Sequence, residues 1–406
     1  MDQEIISRTS IIDEESSEFD TGLQDDLSKS IKLGNQWFLN SGIHDIKEQN
    51  FTYGSMSAWY DTLRDAYSFI YQEIVGYGIS TSCYLYNLYK NPAYLQKARA
   101  AASWLKNTRH SSGGYLSKYR RENKTFINTI YSFDTGMILN GLTNLYDADK
   151  DKEILDEAVS IGDWLISIQH PDGSLPAYYL IEVDKFISHG DKWSRQSGSF
   201  QCKAAIGLLH LHKITKEPKY RDAAIRLCDF ALGFQKPDGR FVTDTTDNST
   251  FVHPHCYTME GLVAAGIYLH EQKYIDAVKS GLAWISAHQM PNGAFPYKYT
   301  VGFMPYESPD FSSQVFRIYL ILERNHLMDK QHRFDKEKLV KNILTYQSKE
   351  NNVRSRGGFY SGDGWFIEDT DPSNRRHINS WVSMFTLQTL ELLSKKNQYF
   401  DVFQIV

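Results

Sequence analysis

An internal repeat constrains this chain more than any other feature. Five times a helical segment gives way to a polar turn built on glycine and then to an extended apolar or aromatic stretch. The copies are Trp104-Leu105 before Gly113-Gly114-Tyr115, Trp164-Leu165 before Gln169-His170-Pro171-Asp172-Gly173, Phe234-Gln235-Lys236-Pro237-Asp238-Gly239, Trp284-Ile285 before Gln289-Met290-Pro291-Asn292-Gly293-Ala294-Phe295, and Gly357-Gly358-Phe359. The turn glycines recur every roughly 55 to 65 residues, the length of two helices with their connections. Between the turns lie segments of another character, residues 77–89, 134–146, 198–211, 255–269, 310–322 and 378–393, rich in apolar and small side chains. Apolar on more than one face, they read as inner helices, while the Trp-bearing segments, beginning with 27–39 and Trp37, read as an outer ring. The expectation is an all-α (α/α)6 toroid, a six-hairpin barrel, in one domain over 25–406, rather than an open solenoid.

Residues 1–24 are acidic and Ser-rich with few apolar anchors, so this segment is expected to be disordered. It shows no basic stretch followed by an apolar one, and no run of about 18 apolar residues follows; a cytoplasmic location is the default expectation. A formal net charge of -5 offers no basic field for a phosphate backbone, which argues against nucleic acid as a partner. The four cysteines, Cys83, Cys202, Cys228 and Cys256, are widely spaced, so neither a disulfide framework nor a zinc ribbon is expected.

Three turns of the form Gln-x-x-Asp/Asn-Gly, at Gln169, Gln235 and Gln289, resemble the glutamine-tryptophan repeats of terpenoid cyclase and prenyltransferase toroids, with Leu175, Phe241 and Phe295 where Trp usually follows. More of the chain, roughly 27–393, resembles the six-hairpin glycosidase superfamily. The stretches that carry this likeness are Glu73-Ile74-Val75-Gly76-Tyr77, Phe133-Asp134-Thr135-Gly136, His255-Cys256-Tyr257-Thr258-Met259-Glu260-Gly261-Leu262 and Arg376-His377-Ile378-Asn379-Ser380-Trp381. In such toroids the inner helices begin at a funnel mouth, so polar residues in or just before their first turns are expected to converge.

That expectation selects Glu73, Asp134, His255, Glu260 and Asp310 as candidate catalytic residues, and Trp59, Tyr60, Tyr77, Gln201, His253, Arg376, His377, Asn379 and Trp365 as substrate contacts, with Trp193 as a further wall. Partial burial of Glu73 and Asp134 would raise their carboxyl pKa towards the range where one can protonate a glycosidic oxygen. Helix capping is the competing role for Asp134 and Asp310, and packing for Glu73. His253-Pro254-His255-Cys256 with Glu260 matches no standard zinc spacing, so no metal and no cofactor is expected. Arg375 and Arg376 adjoin Glu368, Asp369 and Asp371, and either pair with them or fork a substrate carboxylate.

The expected function is therefore carboxylate acid/base processing of an oligo- or polysaccharide, with at least two of Glu73, Asp134, Glu260 and Asp310 within about 10 Å of each other. A uronate lyase or C5-epimerase acting on an acidic glycan is the first alternative, with Arg376 or a His neutralising the carboxylate and a Tyr or His taking the α-proton. The others are a non-catalytic glycan- or protein-binding toroid and a terpenoid cyclase or prenyltransferase. For the last, Asp244-Thr245-Thr246-Asp247 has the wrong spacing for an Asp-x-Asp-Asp acid, and Cys202 with His255 makes an incomplete zinc set.

Overall fold

The computed structural model describes residues 19–47, 50–328, 334–362, 376–395 and 398–406. Among them twelve helices alternate outer and inner: α1 (Thr21–Asn40) with α2 (Gln72–Tyr89), α3 (Pro92–Thr108) with α4 (Ser132–Asp149), α5 (Lys152–Ile168) with α6 (Ala205–Thr215), α7 (Pro218–Leu232) with α8 (Val252–Leu269), α9 (Gln272–Ser286) with α10 (Pro309–Arg324), and α11 (Lys336–Thr345) with α12 (Ser380–Ser394). A six-residue 3-10 turn, Ser199–Ala204, leads into α6. The even-numbered helices pack each against the next, and α12 packs against α2, so the ring closes as an (α/α)6 toroid.

Burial follows the partition expected from the apolar patterns. Helix α2 is buried without a break from Gln72 to Leu85, whereas α5 buries only Ala158, Ile161, Gly162 and Leu165, one stripe of an amphipathic helix. Helix α1 starts at Thr21, earlier than expected, because Asp20 caps Leu23 N–H at 2.8 Å and Leu23, Leu27 and Ile31 continue the buried stripe. No helix among the described residues is long and apolar enough to cross a membrane.

The two ends of the toroid differ. The inner-to-outer connections after α2, α4, α6 and α8 are two-residue turns in which Lys90, Lys150, Lys216 and His270 take positive φ. Outer-to-inner connections are long and carry twelve short strands, a feature beyond the helical expectation: β1 (Trp59–Asp61), β2 (Ala66–Tyr67), β3 (Ile70–Tyr71), β4 (Lys118–Arg120), β5 (Thr125–Phe126), β6 (Thr129–Tyr131), β7 (Tyr178–Leu180), β8 (Lys185–Ile187), β9 (Thr250–Phe251), β10 (Lys298–Tyr299), β11 (Phe303–Met304) and β12 (His377–Asn379). They form four antiparallel three-stranded sheets. In each, the strand just before an inner helix pairs with a strand of a neighbouring loop: β3 with β4, β6 with β7, β9 with β10, and β12 with β1. The last pairing joins chain positions more than 300 residues apart and closes the rim.

The repeated turns are joints. Gln169, Gln235, Gln289 and Gln347 each donate from Nε2 to a turn-glycine carbonyl (Gly173, Gly239, Gly293, Gly357) and to a backbone carbonyl in or beside the next outer helix (Ala223, Ala277, Asp335, Ser30). Arg109 and His44 serve the carbonyls of Gly113 and Gly54, the latter a sixth turn that lacks the Gln signature. Gly357, at φ 93, sits where a Cβ would lie 2.2 Å from the Leu33 carbonyl oxygen, so the last turn in the chain seats on α1 and completes the circle. Leu175, Phe241 and Phe295, standing where Trp occurs in the cyclase repeats, are fully buried behind these joints.

Residues 402–406 close the base of the ring. Asn144 and Asn140 donate to the carbonyls of Phe403 and Ile405, and Lys203 and Arg317 donate to that of Val406 at 2.9 and 2.7 Å.

Candidate active site

The rim carrying the sheets is also where the inner helices begin, and the site is built from their first two turns. Tyr71 and Tyr131 occupy the cap positions of α2 and α4, where no side chain caps the helix. One turn further in, Glu73 and Asp134 are both buried, at 8% and 2% exposure. The Tyr71 hydroxyl lies 3.3 Å from Asp134 Oδ1 and also favours the charge of the neighbouring Glu73 carboxyl. The two acids thus flank one phenol, and the Glu73 charge acts directly on Asp134. Asp134 Oδ2 is buried with no partner among the described residues, so capping does not account for this side chain.

Burial pushes Asp134 well above the ordinary carboxylate range and the neighbouring Glu73 pushes it further, against the pull of Lys118 and the Tyr71 hydroxyl. Burial also raises Glu73, opposed by the hydroxyls of Tyr71 and Tyr77 and by the field of His253 and Lys203. The Tyr77 and Tyr257 hydroxyls meet at 3.0 Å, and burial raises both phenols well above 10. His253 packs edge-on against Tyr257 at 4.3 Å between centroids, and its Nδ1 lies 3.2 Å from Asp310 Oδ2. The structure thus brings together Glu73, Asp134, Tyr77, His253 and Asp310, with Tyr71 and Tyr257 as members that the sequence reading did not select.

Trp59 and Trp193 stand at the rim. Trp59 packs edge-on against Phe69, which neighbours Tyr71, and Trp193 lies 6.3 Å from His253. Because β1 and β12 pair antiparallel, Trp59, Asp61, His377 and Asn379 share one face. Tyr60 points to the other face, where its hydroxyl donates to Asp65 at 2.5 Å and accepts from Asn352 at 3.0 Å; it is a packing residue of the outer wall. Gln201 is 1% exposed, and neither its amide nitrogen nor its oxygen has a partner among the described residues.

Five further expected residues have other partners. His255 is fully buried and turned towards α9: Nδ1 accepts from Phe241 N–H, Nε2 faces the Gly281 carbonyl, and burial lowers its pKa to about 4. Glu260 lies two turns deeper than His253, paired with Lys203 at 2.9 Å and with Arg317, and these cations hold its carboxyl down despite burial. The Arg376 fork, offered as a holder of substrate carboxylate, is taken bidentately by Asp61 at 2.7 to 3.0 Å. Burial raises Asp61, but Arg376 outweighs it and the carboxyl titrates at about 2. Asn379 caps α12 by accepting from Val382 N–H, and His377 stands 3.7 Å from Asp61, so both belong to the rim's framework. Trp365, Arg375 and the acids Glu368, Asp369 and Asp371 lie outside the described residues.

The terpenoid features also find other employment. Asp244 and Asp247 each accept from the backbone N–H two residues on, closing a turn, and Cys202 lies 3.7 Å from Cys228 in the core. Among the described residues no three His, Cys, Asp or Glu side chains converge as a metal site.

Solved structures share this architecture over nearly their whole length. A sugar epimerase from a ruminal bacterium aligns with TM-score 0.72 and 13% identity, covering 93% of this chain and 100% of that one. Cellobiose 2-epimerase from Spirochaeta thermophila DSM 6192 gives 0.68 and 12%, covering 92% and 99%. Unsaturated glucuronyl hydrolase from Bacillus sp. GL1 gives 0.67 and 14%, covering 90% and 96%. At such identities the likeness shows the fold, that of the six-hairpin glycosidase-like toroids. A search of curated proteins by sequence gives no match. One sequence-family model, "Beta-L-arabinofuranosidase, GH127 catalytic domain", matches residues 38–290, which span α2, α4 and α8 and so include Glu73, Asp134 and His253. The chain is accordingly a carbohydrate-active, glycoside hydrolase-like protein, and it belongs to the GH127 β-L-arabinofuranosidase catalytic-domain family.

Proposed function

We propose that this chain cleaves a glycosidic bond with Asp134 as proton donor and Glu73 as the ionised partner. The observation that carries this is the single phenol between two buried carboxyls. One hydroxyl has one proton to give, so Tyr71 satisfies both neighbours only when one of them is itself protonated and donates to the phenol oxygen. Asp134 is the group pushed higher, while Glu73 has Tyr77, His253 and Lys203 to favour its charge. A protonated and an ionised carboxyl across a sugar are the two components of glycoside hydrolysis. Trp59 and Trp193 offer faces on which a sugar ring stacks.

A second reading rests on one further contact. His253, with its Nδ1 3.2 Å from Asp310 Oδ2, pairs an imidazole with a carboxylate as a general base would, which suits proton abstraction from a sugar carbon and hence epimerisation. The test is a panel containing β-L-arabinofuranosides, neutral oligosaccharides and uronate-bearing oligosaccharides, followed for reducing ends, unsaturated product and solvent deuterium on carbon. New reducing ends are expected. Asp134→Asn and Glu73→Gln are each expected to lower kcat/KM by about 10³-fold while retaining binding, the size typical of losing an acid/base group. Deuterium exchange lost in His253→Ala but kept in both carboxyl variants would move the assignment to epimerisation; turnover kept in all three would leave a binding protein.

A further inference from the structure

The proposed chemistry does not use one cation beside the acid pair. Lys118 stands in β4 directly across the strand pair from Tyr71, the residue that touches both acids. Side chains so paired rise from the same face of the sheet, and the Lys118 ammonium lies 4.5 Å from the Phe69 ring centroid and 5.2 Å from that of Tyr71. Asp134 and Glu73 both act on it electrostatically, yet no carboxylate among the described residues lies within ion-pair distance of it. Three other cations of this rim are paired, Arg376 with Asp61, Arg195 with Asp191 and Lys298 with Asp247. This half-buried ammonium, with aromatic rings on its flank beside the acid pair, has no anion within ion-pair distance among the described residues.

We infer that Lys118 binds an anionic group of the substrate, so that the sugar seated at the acid pair is a uronic acid whose carboxylate meets the Lys118 ammonium. This rests on the reading of Glu73 and Asp134 as the reacting pair. The aromatic flank of Phe69 and Tyr71 excludes water from one side of the ammonium, which strengthens its attraction for a carboxylate. The same arrangement explains how an acidic glycan is read although the Arg376 fork is occupied.

The experiment measures binding of matched sugar pairs, glucuronate against glucose and galacturonate against galactose, to the full chain by calorimetry, in wild type, Lys118→Met and Lys118→Arg. Methionine keeps the apolar stem against Phe69 and Tyr71; arginine keeps the charge. Wild type is expected to prefer at least one uronate over its neutral partner by about tenfold or more, as a charge-assisted bond provides. Lys118→Met should collapse that ratio towards one, and Lys118→Arg should keep most of it. A wild type with no uronate preference, including one that binds neither member of either pair, overturns the inference, as does a Lys118→Met variant with the preference intact. Turnover of Glu73→Gln and Asp134→Asn is scored separately. If those variants stay active the acid-pair reading fails, whereas their inactivity beside an unchanged Lys118→Met ratio sinks only the role given to Lys118.

Discussion

At the scale of single residues, helical rotation separates neighbours in sequence. Glu73 and Tyr77, like His253 and Tyr257, are four apart and share a face, whereas His255, two residues beyond His253, is turned by about 200° and meets the outer ring. The acid pair makes a specific statement about pH. The proposed hydrolysis needs Asp134 protonated and Glu73 ionised, so kcat/KM should fall on the acid side through the raised pKa of Glu73 and on the alkaline side through the raised pKa of Asp134. Since the Glu73 charge helps push Asp134 up, Glu73→Gln should remove the acid limb from its residual activity and shift the alkaline limb to lower pH. Residual-activity profiles of the variants check both shifts. At the rim, Asp61 moves from 3.8 to about 2 on folding, so its pair with Arg376 contributes stability that is present above the unfolded value and lost as pH falls through the folded one. Arg376→Ala should therefore cost about 2 kcal/mol in urea unfolding at neutral pH and progressively less between about pH 4 and pH 2.

At the scale of elements, the Gln-Gly turn explains the repeat. A glutamine amide has two protons; one closes its own turn and the other fastens that turn to a neighbouring outer helix. Gln235→Ala leaves the carbonyls of Gly239 and Ala277 short of a donor and should destabilise by about 1 to 3 kcal/mol. Gly239→Ala should cost about 3 kcal/mol or more, since it adds left-handed strain at φ 98 to a Cβ set 2.3 Å from the Ser280 carbonyl oxygen. Chemical denaturation of both variants, with far-UV circular dichroism to show that the fold persists, tests the joint; a loss under about 0.5 kcal/mol in both would remove it as the origin of the repeat. His44 and Arg109 occupy the same role at two turns where the Gln signature is missing, which is why the Gly54 copy escaped the sequence reading.

At the scale of the molecule, the toroid surrounds a buried charge cluster instead of a hollow axis. Glu260 sits between Lys203 and Arg317, Gln314 and Gln388 complete the bonding, and the rings of Tyr77, Tyr257 and Phe385 cover the Lys203 ammonium. Glu260→Gln would remove the carboxylate that lies between two buried cations and should cost about 3 to 5 kcal/mol. A catalytic acid at this position would instead lose turnover with little change in unfolding midpoint, so the two measurements together test its reassignment from catalysis to the ring's interior.

The sequence by itself determined the number of hairpins, the division into inner and outer helices, and the rim at which Glu73, Asp134 and His253 gather. Those follow from periodicity and from where glycine punctuates it, which are properties of neighbouring residues. Tertiary structure alone decided which member of each first turn joins the site, that Tyr71 of one hairpin meets Asp134 of the next, and that Asp61 claims the Arg376 fork across 315 residues of chain. Such partners are chosen by ring closure and strand register, and no local pattern encodes them. Lys118 shows the same limit: nothing around it in sequence distinguishes it from other rim lysines until β4 pairs with β3 and sets it beside Tyr71.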